Sequence, residues 1–126
     1  CVVYTGTHDN ETVSGWFCAL SKEEKQTIRD YLCVEGVKDE DMYRVLLAAA
    51  MRSCADTCII PVQDHLGLDN ANRMNQPSTV GENWRWRMKE GQITKELAAE
   101  IKELTRRYGR LNWAREVKLA EKAEEE

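Results

Sequence analysis

The pattern of apolar residues predicts two short strands with helices between them. Residues 2–5 are β-branched or aromatic with no polar alternation, which is typical of a strand buried on both faces. Residues 57–63 have the same character, but Pro61 indicates that this strand is short or irregular near its end, because proline donates no ladder hydrogen bond. Buried strands separated by helices favour parallel pairing, so the chain is predicted to have an α/β fold.

Between the strands, the apolar period changes to that of an α-helix. A first helix is predicted from four apolar residues on one face, namely Val13, Trp16, Phe17 and Leu20. Ser21 and Glu24 form a capping-box pattern, which predicts that a second helix begins there and stops before Gly36. A third helix follows, for which Asp39 or Asp41 is the expected N-cap.

The second half of the chain contains a long irregular segment followed by one clear helix. Residues 64–91 show no regular period and are rich in glycine, proline and asparagine, which is typical of a loop. A loop of this length is usually functional or disordered, and Trp84 and Trp86 argue against disorder. Thr94 is expected to cap the last helix, and Gly109 is expected to end it.

Composition and charge argue against several functional classes. No window approaches the length of a membrane-spanning helix, so no membrane span is predicted. The net charge is −4, without the basic excess that is typical of nucleic-acid binding. The five cysteines are odd in number and scattered, so no disulfide framework is expected. Cys18, Cys33 and Cys54 lie among apolar residues and are predicted to be buried reduced thiols, which favours a cytoplasmic location.

The residues that follow each predicted strand are the strongest functional candidates. His8 and Asp9 come after the first strand, and residues 63–65 come after the second. Parallel α/β folds carry their sites at the carboxyl ends of the strands, so both clusters are expected on the same rim. Two alternatives stay open. Asp9 or Asn10 could simply cap the following helix, or His8, Asp9 and His65 could converge on a metal ion.

A carbohydrate site fits the residue types around these clusters. Sugars present apolar ring faces and hydroxyl edges, which suit tryptophan beside Asp, Asn, His and Arg. Trp84 and Trp86 could provide such a stacking surface, or they could pack in the core. Cleavage of a glycosidic bond normally requires two carboxylates, and Asp9 is the one well-placed acid. The residues alone therefore indicate the incomplete rim of a sugar site.

Four blocks of the sequence occur in a characteristic order. They are YTGTHDNETVSGW at 4–16, QDHLGL at 63–68, RMNQPST at 73–79 and GENWRWR at 81–87. Together these blocks closely resemble the 4-α-glucanotransferase family (amylomaltase, or disproportionating enzyme). The resemblance implies a (β/α)8 barrel of the TIM type, of which residues 1–109 would be the C-terminal part with about two parallel strands, incomplete as given. Residues 110–126 lie outside the resemblance, and their charged composition with few apolar positions predicts a helical C-terminal tail.

The resemblance also implies a retaining double displacement that transfers α-1,4-glucan segments to the 4-hydroxyl of an acceptor glucan or glucose. The nucleophilic aspartate and the acid/base glutamate would lie upstream of this sequence. Asp9 matches the family's transition-state-stabilising aspartate, and His8 matches the histidine that binds hydroxyls of the same sugar. Asn75 and Arg73 fall on the loop that lines the donor cleft and are expected to bind substrate, with Arg73 bracing the loop. No metal and no cofactor are implied.

One departure from the family pattern lies in the same loop. Ser78 stands where glycine is usual, and this change is expected to affect a backbone angle near Asn75. A non-catalytic alternative also stays open, in which the chain only binds glucan or packs against another protein, because the catalytic pair of carboxylates is missing. In the enzymatic interpretation, the partners are maltooligosaccharide substrates and the rest of the chain's own barrel.

Overall fold

The computed structural model describes residues 1–112, 114 and 117, so the expected tail at residues 110–126 lies mostly outside the described residues. The described part contains, in order, β1 (Val2–Tyr4), α1 (Val13–Ala19), α2 (Lys22–Leu32), α3 (Met42–Met51), β2 (Thr57–Ile59), α4 (Val62–His65) and α5 (Lys95–Arg107). Short 3₁₀ turns occur at Asp39–Asp41 and Asn70–Asn72. None of the described helices has the length and apolar character needed to cross a bilayer.

The two strands pair in parallel, which confirms the predicted α/β arrangement. Val2 lies opposite Thr57, and Tyr4 lies opposite Ile59. The second strand is shorter than predicted, because Pro61 is the N-cap of α4 and does not continue the ladder. The prediction of one continuous strand over residues 57–63 is therefore wrong beyond Ile59.

The strands are also less buried than predicted. Val2 is 49% exposed, Tyr4 is 51% exposed and Ile59 is 43% exposed. Val3 and Cys58, the middle residues of the two strands, are half-buried. Successive side chains of a strand point to opposite faces, so the described residues cover one face of the sheet more than the other. An apolar run without alternation indicates that both faces of a strand favour burial. It does not show that other elements of the same chain cover both faces.

Thr12 is the residue that caps α1. Its hydroxyl accepts a hydrogen bond from the backbone N–H of Gly15 at 3.1 Å. Asn10 instead accepts a 2.7 Å hydrogen bond from the backbone N–H of Thr7. The interpretation of Asp9 or Asn10 as the cap of this helix is therefore wrong, and the Asp9 side chain makes other contacts.

The second helix begins with the predicted capping box. The hydroxyl of Ser21 accepts from the backbone N–H of Glu24 at 3.2 Å, and the Glu24 carboxylate accepts from the backbone N–H of Ser21 at 2.9 Å. These hydrogen bonds lower the pKa of Glu24. The helix ends at Cys33, which adopts a left-handed φ of 55°, so the stop comes before Gly36 as predicted.

Of the two expected caps of α3, Asp41 occupies the N-cap position without a side-chain capping bond, and Asp39 has another role. Neither Asp39 nor Asp41 caps this helix with its side chain; both lie in the 3₁₀ turn that leads into it. The Asp39 carboxylate lies 2.9 Å from Lys25 Nζ and accepts a 2.9 Å hydrogen bond from Arg29. These two basic groups lower the pKa of Asp39. The acid therefore joins α2 to the start of α3.

The core lies between α1 and α3. Phe17 and Met42 are fully buried there. The other buried apolar residues are Val13, Leu47, Met51 and Ala55. Trp16 is 40% exposed although it was predicted to share the apolar face of Phe17. The first helix therefore presents a narrower buried stripe than its sequence suggested.

The cysteines do not form part of this core. Cys18, Cys33 and Cys54 are exposed, which corrects the prediction of buried thiols, and the described cysteines are all unpaired. Apolar neighbours in sequence did not predict burial: Cys18 lies on an exposed face of α1, whereas Cys33 and Cys54 lie after the ends of α2 and α3. Only Cys58 among the described cysteines is half-buried, and burial raises the pKa of its thiol.

The last helix is capped as predicted. The hydroxyl of Thr94 accepts a 3.1 Å hydrogen bond from the backbone N–H of Leu97. Just beyond this helix, Arg110 donates to the carbonyl of Met51 at 2.7 Å and to the carbonyl of Ser53 at 3.0 Å. These carbonyls lie at the C-terminal end of α3, where free acceptors attract cations. Arg110 therefore fastens the end of α5 to α3.

Candidate active site

A single buried carboxylate anchors the segment that carries His8 and Asp9. Asp64 accepts a 2.7 Å hydrogen bond from the hydroxyl of Thr5, at the end of β1, and a 2.8 Å hydrogen bond from the backbone N–H of Val13, at the start of α1. Asp64 is only 2% exposed. The residues after β2 do lie near the end of β1, as the topology predicted, but Asp64 fixes the loop and does not face solvent.

Asn70 provides a second anchor for the same loop. Its side-chain oxygen accepts a 3.1 Å hydrogen bond from the backbone N–H of Thr12, and its amide donates a 2.7 Å hydrogen bond to Glu11. Gly15 allows this approach, because a Cβ at that position would lie 2.3 Å from the Asn70 oxygen. Neither Asn70 nor Gly15 stands out in the sequence, since both roles depend on contacts more than 50 residues apart.

The four residues singled out from the sequence converge at this rim. Asn75 donates a 2.6 Å hydrogen bond from its side-chain amide to Oδ1 of Asp9. His8 Nε2 lies 3.3 Å from Oδ2 of Asp9. Arg73 donates to the backbone carbonyl of Asp9 at 2.9 Å and to that of Asn75 at 3.3 Å. The structure thus brings together residues that are more than 60 positions apart in the chain.

The site is open to solvent. The side chains of His8 and Asp9 are 52% and 50% exposed. Two neighbouring clefts of about 460 and 520 Å³ meet here; His8 lines the first, Asp9 lines the second, and Arg73 lines both. Carboxylate, imidazole, amide and guanidinium groups supply both donors and acceptors for hydroxyl groups. The rim can therefore hydrogen-bond a polyhydroxylated ligand.

An aromatic side chain completes the rim. The ring centroids of Trp84 and His8 lie 4.9 Å apart with planes tilted by 41°, and Trp84 is 52% exposed. Trp86 is half-buried and donates a 3.1 Å hydrogen bond from its indole to Asn72. The two tryptophans therefore differ: the half-buried Trp86 bonds Asn72, and the exposed Trp84 borders the site. The contact between Trp84 and His8 could not be anticipated from their spacing in the sequence.

The loop that carries Asn75 keeps the backbone geometry that glycine favours. Ser78 has φ of 63°, in the left-handed region that residues with a Cβ rarely adopt. Ser78 therefore holds a backbone angle that glycine adopts without strain, and the loop in this conformation brings Asn75 to Asp9.

The metal-site alternative gains no support from the geometry. His65 lies half-buried in a separate cleft of about 440 Å³, with Tyr43 and Leu104, and burial lowers its pKa. Among the described residues, no three His, Cys, Asp or Glu side chains converge as metal ligands. The described neighbours of Asp9 are instead the imidazole of His8, the amide of Asn75 and the guanidinium of Arg73.

Fold and site together define part of an α/β protein with a polar, solvent-open site after its parallel strands. The family model described as 4-alpha-glucanotransferase matches residues 1–94. The chain belongs to this 4-alpha-glucanotransferase family.

Individual relatives agree with this assignment. The chain is 49% identical to the 4-alpha-glucanotransferase DPE1 of Oryza sativa subsp. japonica, over 87% of this chain and 19% of that protein. It is 46% identical to the 4-alpha-glucanotransferase of Clostridium butyricum, over 87% of this chain and 22% of that protein. The chain thus spans about a fifth of the length of the curated relatives it matches.

A solved structure shares the fold of the chain. The amylomaltase from Streptococcus agalactiae in complex with acarbose superposes with a TM-score of 0.82 at 36% identity, covering 88% of this chain and 22% of that one. The arrangement of strands, helices and loops described above is therefore one that a known member of this group of enzymes also has.

Proposed function

We propose that the chain forms one side of the active site of a 4-α-glucanotransferase, called the parent enzyme below. In this proposal residues 1–109 are the C-terminal part of a (β/α)8 barrel, and the rest of that barrel packs against the exposed face of the sheet. The parallel pairing of β1 with β2 supports the barrel. The position of His8 and Asp9 after β1 supports it too, because barrel enzymes carry their sites at the carboxyl ends of the strands.

The observation that carries the proposal is the arrangement around the Asp9 carboxylate. Oδ1 accepts the amide hydrogen bond of Asn75, and Oδ2 faces His8. A carboxylate fixed in this way can bind sugar hydroxyls and can stabilise positive charge as it develops at the reacting carbon. Such contacts lower the barrier because they strengthen in the transition state. Asp9 is therefore assigned as the transition-state stabiliser.

The other site residues have supporting roles in this proposal. His8 and Asn75 donate hydrogen bonds to hydroxyls of the same sugar ring and keep Asp9 oriented. Arg73 binds two backbone carbonyls, those of Asp9 and Asn75, so it holds the loop against the strand end and lines the cleft for the donor glucan. The residue types fit α-1,4-glucans, whose hydroxyls need donors and acceptors in fixed positions.

The chemistry requires two further carboxyl groups, a nucleophile and an acid/base. We assign both to the remainder of the barrel, because the second acid beside Asp9, Glu11, is held by Asn70. An acceptor sugar resolves the covalent intermediate, so the parent enzyme is a transferase more than a hydrolase. The mechanism requires no metal and no organic cofactor.

The experiment is a product analysis of the parent enzyme with maltotriose. Transfer predicts glucose together with maltooligosaccharides longer than maltotriose. Glucose and maltose alone would indicate hydrolysis and would contradict the proposal. Asp9→Asn, which removes the charge and keeps the shape, should lose most of the turnover while folding normally. Near-normal turnover in Asp9→Asn would overturn the role assigned to Asp9.

A cytoplasmic location remains part of the proposal. The unpaired state of the described cysteines supports a reducing compartment. A relative from Oryza sativa is named as chloroplastic or amyloplastic, so the location is tested by fractionation of the native cells.

A further inference from the structure

We propose that Trp84 is a positioning residue, which holds the imidazole of His8 and through it orients the Asp9 carboxylate. This inference rests on the proposed function, since it assigns a further residue to the same site. It starts from the ring contact between Trp84 and His8, with centroids 4.9 Å apart and planes tilted by 41°. Tilted aromatic pairs at this separation attract each other beyond the area that they bury.

The His8 side chain needs such a restraint. It is 52% exposed, and an imidazole with this much solvent around it rotates broadly about its second side-chain torsion unless a neighbour limits it. The indole of Trp84 limits this rotation from one side. On the other side, Nε2 of His8 lies 3.3 Å from Oδ2 of Asp9. His8 is therefore held between the indole and the carboxylate.

The backbone of Trp84 is fixed in an unusual conformation that presents the ring to His8. Its φ is 64°, in the left-handed region, where a bulky residue is a true outlier. The backbone N–H of Trp84 donates a short 2.6 Å hydrogen bond to the carbonyl of Met74. Outliers of this kind persist only where surrounding bonds determine them, and they cluster at functional sites.

The loop between Asn75 and Trp84 is closed by its own hydrogen bonds. Asn83 accepts from the backbone N–H of Gln76 at 2.8 Å and donates to the carbonyl of Thr79 at 3.0 Å. The backbone N–H of Asn75 also donates to the carbonyl of His8 at 3.2 Å. Both ends of the loop therefore contact the segment that follows β1. Asn75 forms hydrogen bonds with His8 and Asp9, and the ring of Trp84 contacts the ring of His8.

This arrangement couples three side chains in sequence. Trp84 restrains His8, and His8 faces the Asp9 carboxylate. A small misplacement of a group that contacts the reacting sugar is enough to slow catalysis strongly. The size of the Trp84 ring, rather than its indole N–H, is what the contact uses. Phenylalanine should therefore substitute for Trp84 better than leucine does.

The kinetic test compares variants of the parent enzyme with maltotriose as substrate. Trp84→Leu should lower kcat on the order of 10- to 100-fold, with a smaller effect on KM, because the lost geometry matters most in the transition state. Trp84→Phe should stay within about threefold of the wild type, because a ring still covers His8. Trp86→Phe is the matched control and should change kcat less than about twofold, because the indole of Trp86 bonds Asn72 and the ring contact of His8 among the described residues is with Trp84.

A double variant separates positioning from general support of the loop. If Trp84 acts through His8, the kcat of His8→Gln combined with Trp84→Leu should lie within about twofold of His8→Gln alone. Multiplied losses in the double variant would overturn the inference.

A spectroscopic measurement tests the contact without depending on turnover. The Hε1 signal of His8, assigned by its absence in His8→Gln, should be displaced from the position of a free histidine by the ring current of the indole. The shift should be lost in Trp84→Leu and kept in Trp84→Phe and Trp86→Phe. If Trp84→Leu fails to fold, the wild type and Trp84→Phe still test the ring contact, because the His8 signal should be shifted in both. An inactive wild type would refute the proposed function, whereas an unshifted His8 proton in an active enzyme would refute this inference alone.

Discussion

The side-chain amide of Asn75 donates a 2.6 Å hydrogen bond to Oδ1 of Asp9, although the two residues are 66 positions apart in the chain. A carboxylate that accepts a short hydrogen bond from a fixed amide is oriented before any ligand arrives. The backbone of Asn75 also bonds the carbonyl of His8 at 3.2 Å. The loop and the segment after β1 are therefore joined by hydrogen bonds, and a change in the loop should alter the position of the Asp9 carboxylate.

Asn75→Ala should lower the kcat of the parent enzyme on the order of 10- to 100-fold, which corresponds to the roughly 1.5–3 kcal/mol of a hydrogen bond to a charged group. The reason is that Asp9 loses the donor that orients Oδ1, while its other contacts remain. The measurement is the initial rate of glucose release from maltotriose over a range of concentrations. A loss confined to KM would show instead that Asn75 only binds the ground state.

Gln76→Ala serves as the control for this prediction. Gln76 is the next residue in the loop, it is exposed, and the loop uses its backbone groups, which alanine keeps. Its kcat should stay within about twofold of the wild type, because exposed positions without special contacts tolerate truncation. Equal losses in Asn75→Ala and Gln76→Ala would contradict a specific role for the amide.

Ser78→Gly should stabilise the protein. Ser78 holds φ of 63°, which costs a residue with a Cβ roughly 1–2 kcal/mol, and glycine removes this cost. Part of the gain is offset, because glycine is more flexible in the unfolded chain. The free energy of unfolding from denaturant titration should therefore rise by about 0.5–1 kcal/mol. Ser78→Ala keeps the Cβ and should show no gain; a gain as large as that of glycine would mean that the backbone angle is not the cause.

The parallel pairing and the placement of Asp64, after the second strand, near the end of the first could be predicted from the sequence, because both follow from local pattern and topology. The cap of α1 could not. Several polar residues precede that helix, and the choice of Thr12 depends on contacts with distant partners, such as the hydrogen bond from Val13 N–H to Asp64. A short sequence window contains no information about such partners.

Burial was the other quantity that local pattern predicted poorly. Tyr4 and Cys54 lie in apolar surroundings in the sequence, yet both are exposed among the described residues. An apolar residue is buried only if another element covers it, and which element does so is decided by tertiary packing. The proximity of Trp84 to His8 has the same origin: the loop folds back over 76 positions of chain, and no periodic signal marks the contact.

Asp64→Asn should destabilise the protein, although the side chain keeps its shape. The carboxylate accepts hydrogen bonds from Thr5 and from the backbone of Val13, one on each oxygen, and it is 2% exposed. Asparagine has one acceptor oxygen, which can keep the hydrogen bond from Val13 N–H, while its NH₂ group then faces the Thr5 hydroxyl, which must turn to accept instead of donate. The free energy of unfolding should fall by about 1 kcal/mol, because hydrogen bonds to a charged acceptor are replaced by weaker bonds between neutral groups. An unchanged free energy of unfolding would show that Asp64 does not anchor the loop.

His65→Leu should remove part of the loss of stability at acidic pH. His65 is half-buried in a cleft that Tyr43 and Leu104 also line, and burial lowers its pKa below the ordinary value of 6.5, while the Asp64 charge has a smaller effect in the opposite direction. The folded state therefore binds a proton less readily than the unfolded state. As the pH falls through about 6.5, the unfolded state is protonated first, so the free energy of unfolding of the wild type decreases. Leucine cannot titrate and suits the apolar walls of the cleft. Urea unfolding at pH 7.5 and pH 5.0 measures the free energy of unfolding, which should decrease less for His65→Leu than for the wild type. An equal decrease in both proteins would mean that another group causes the acid sensitivity.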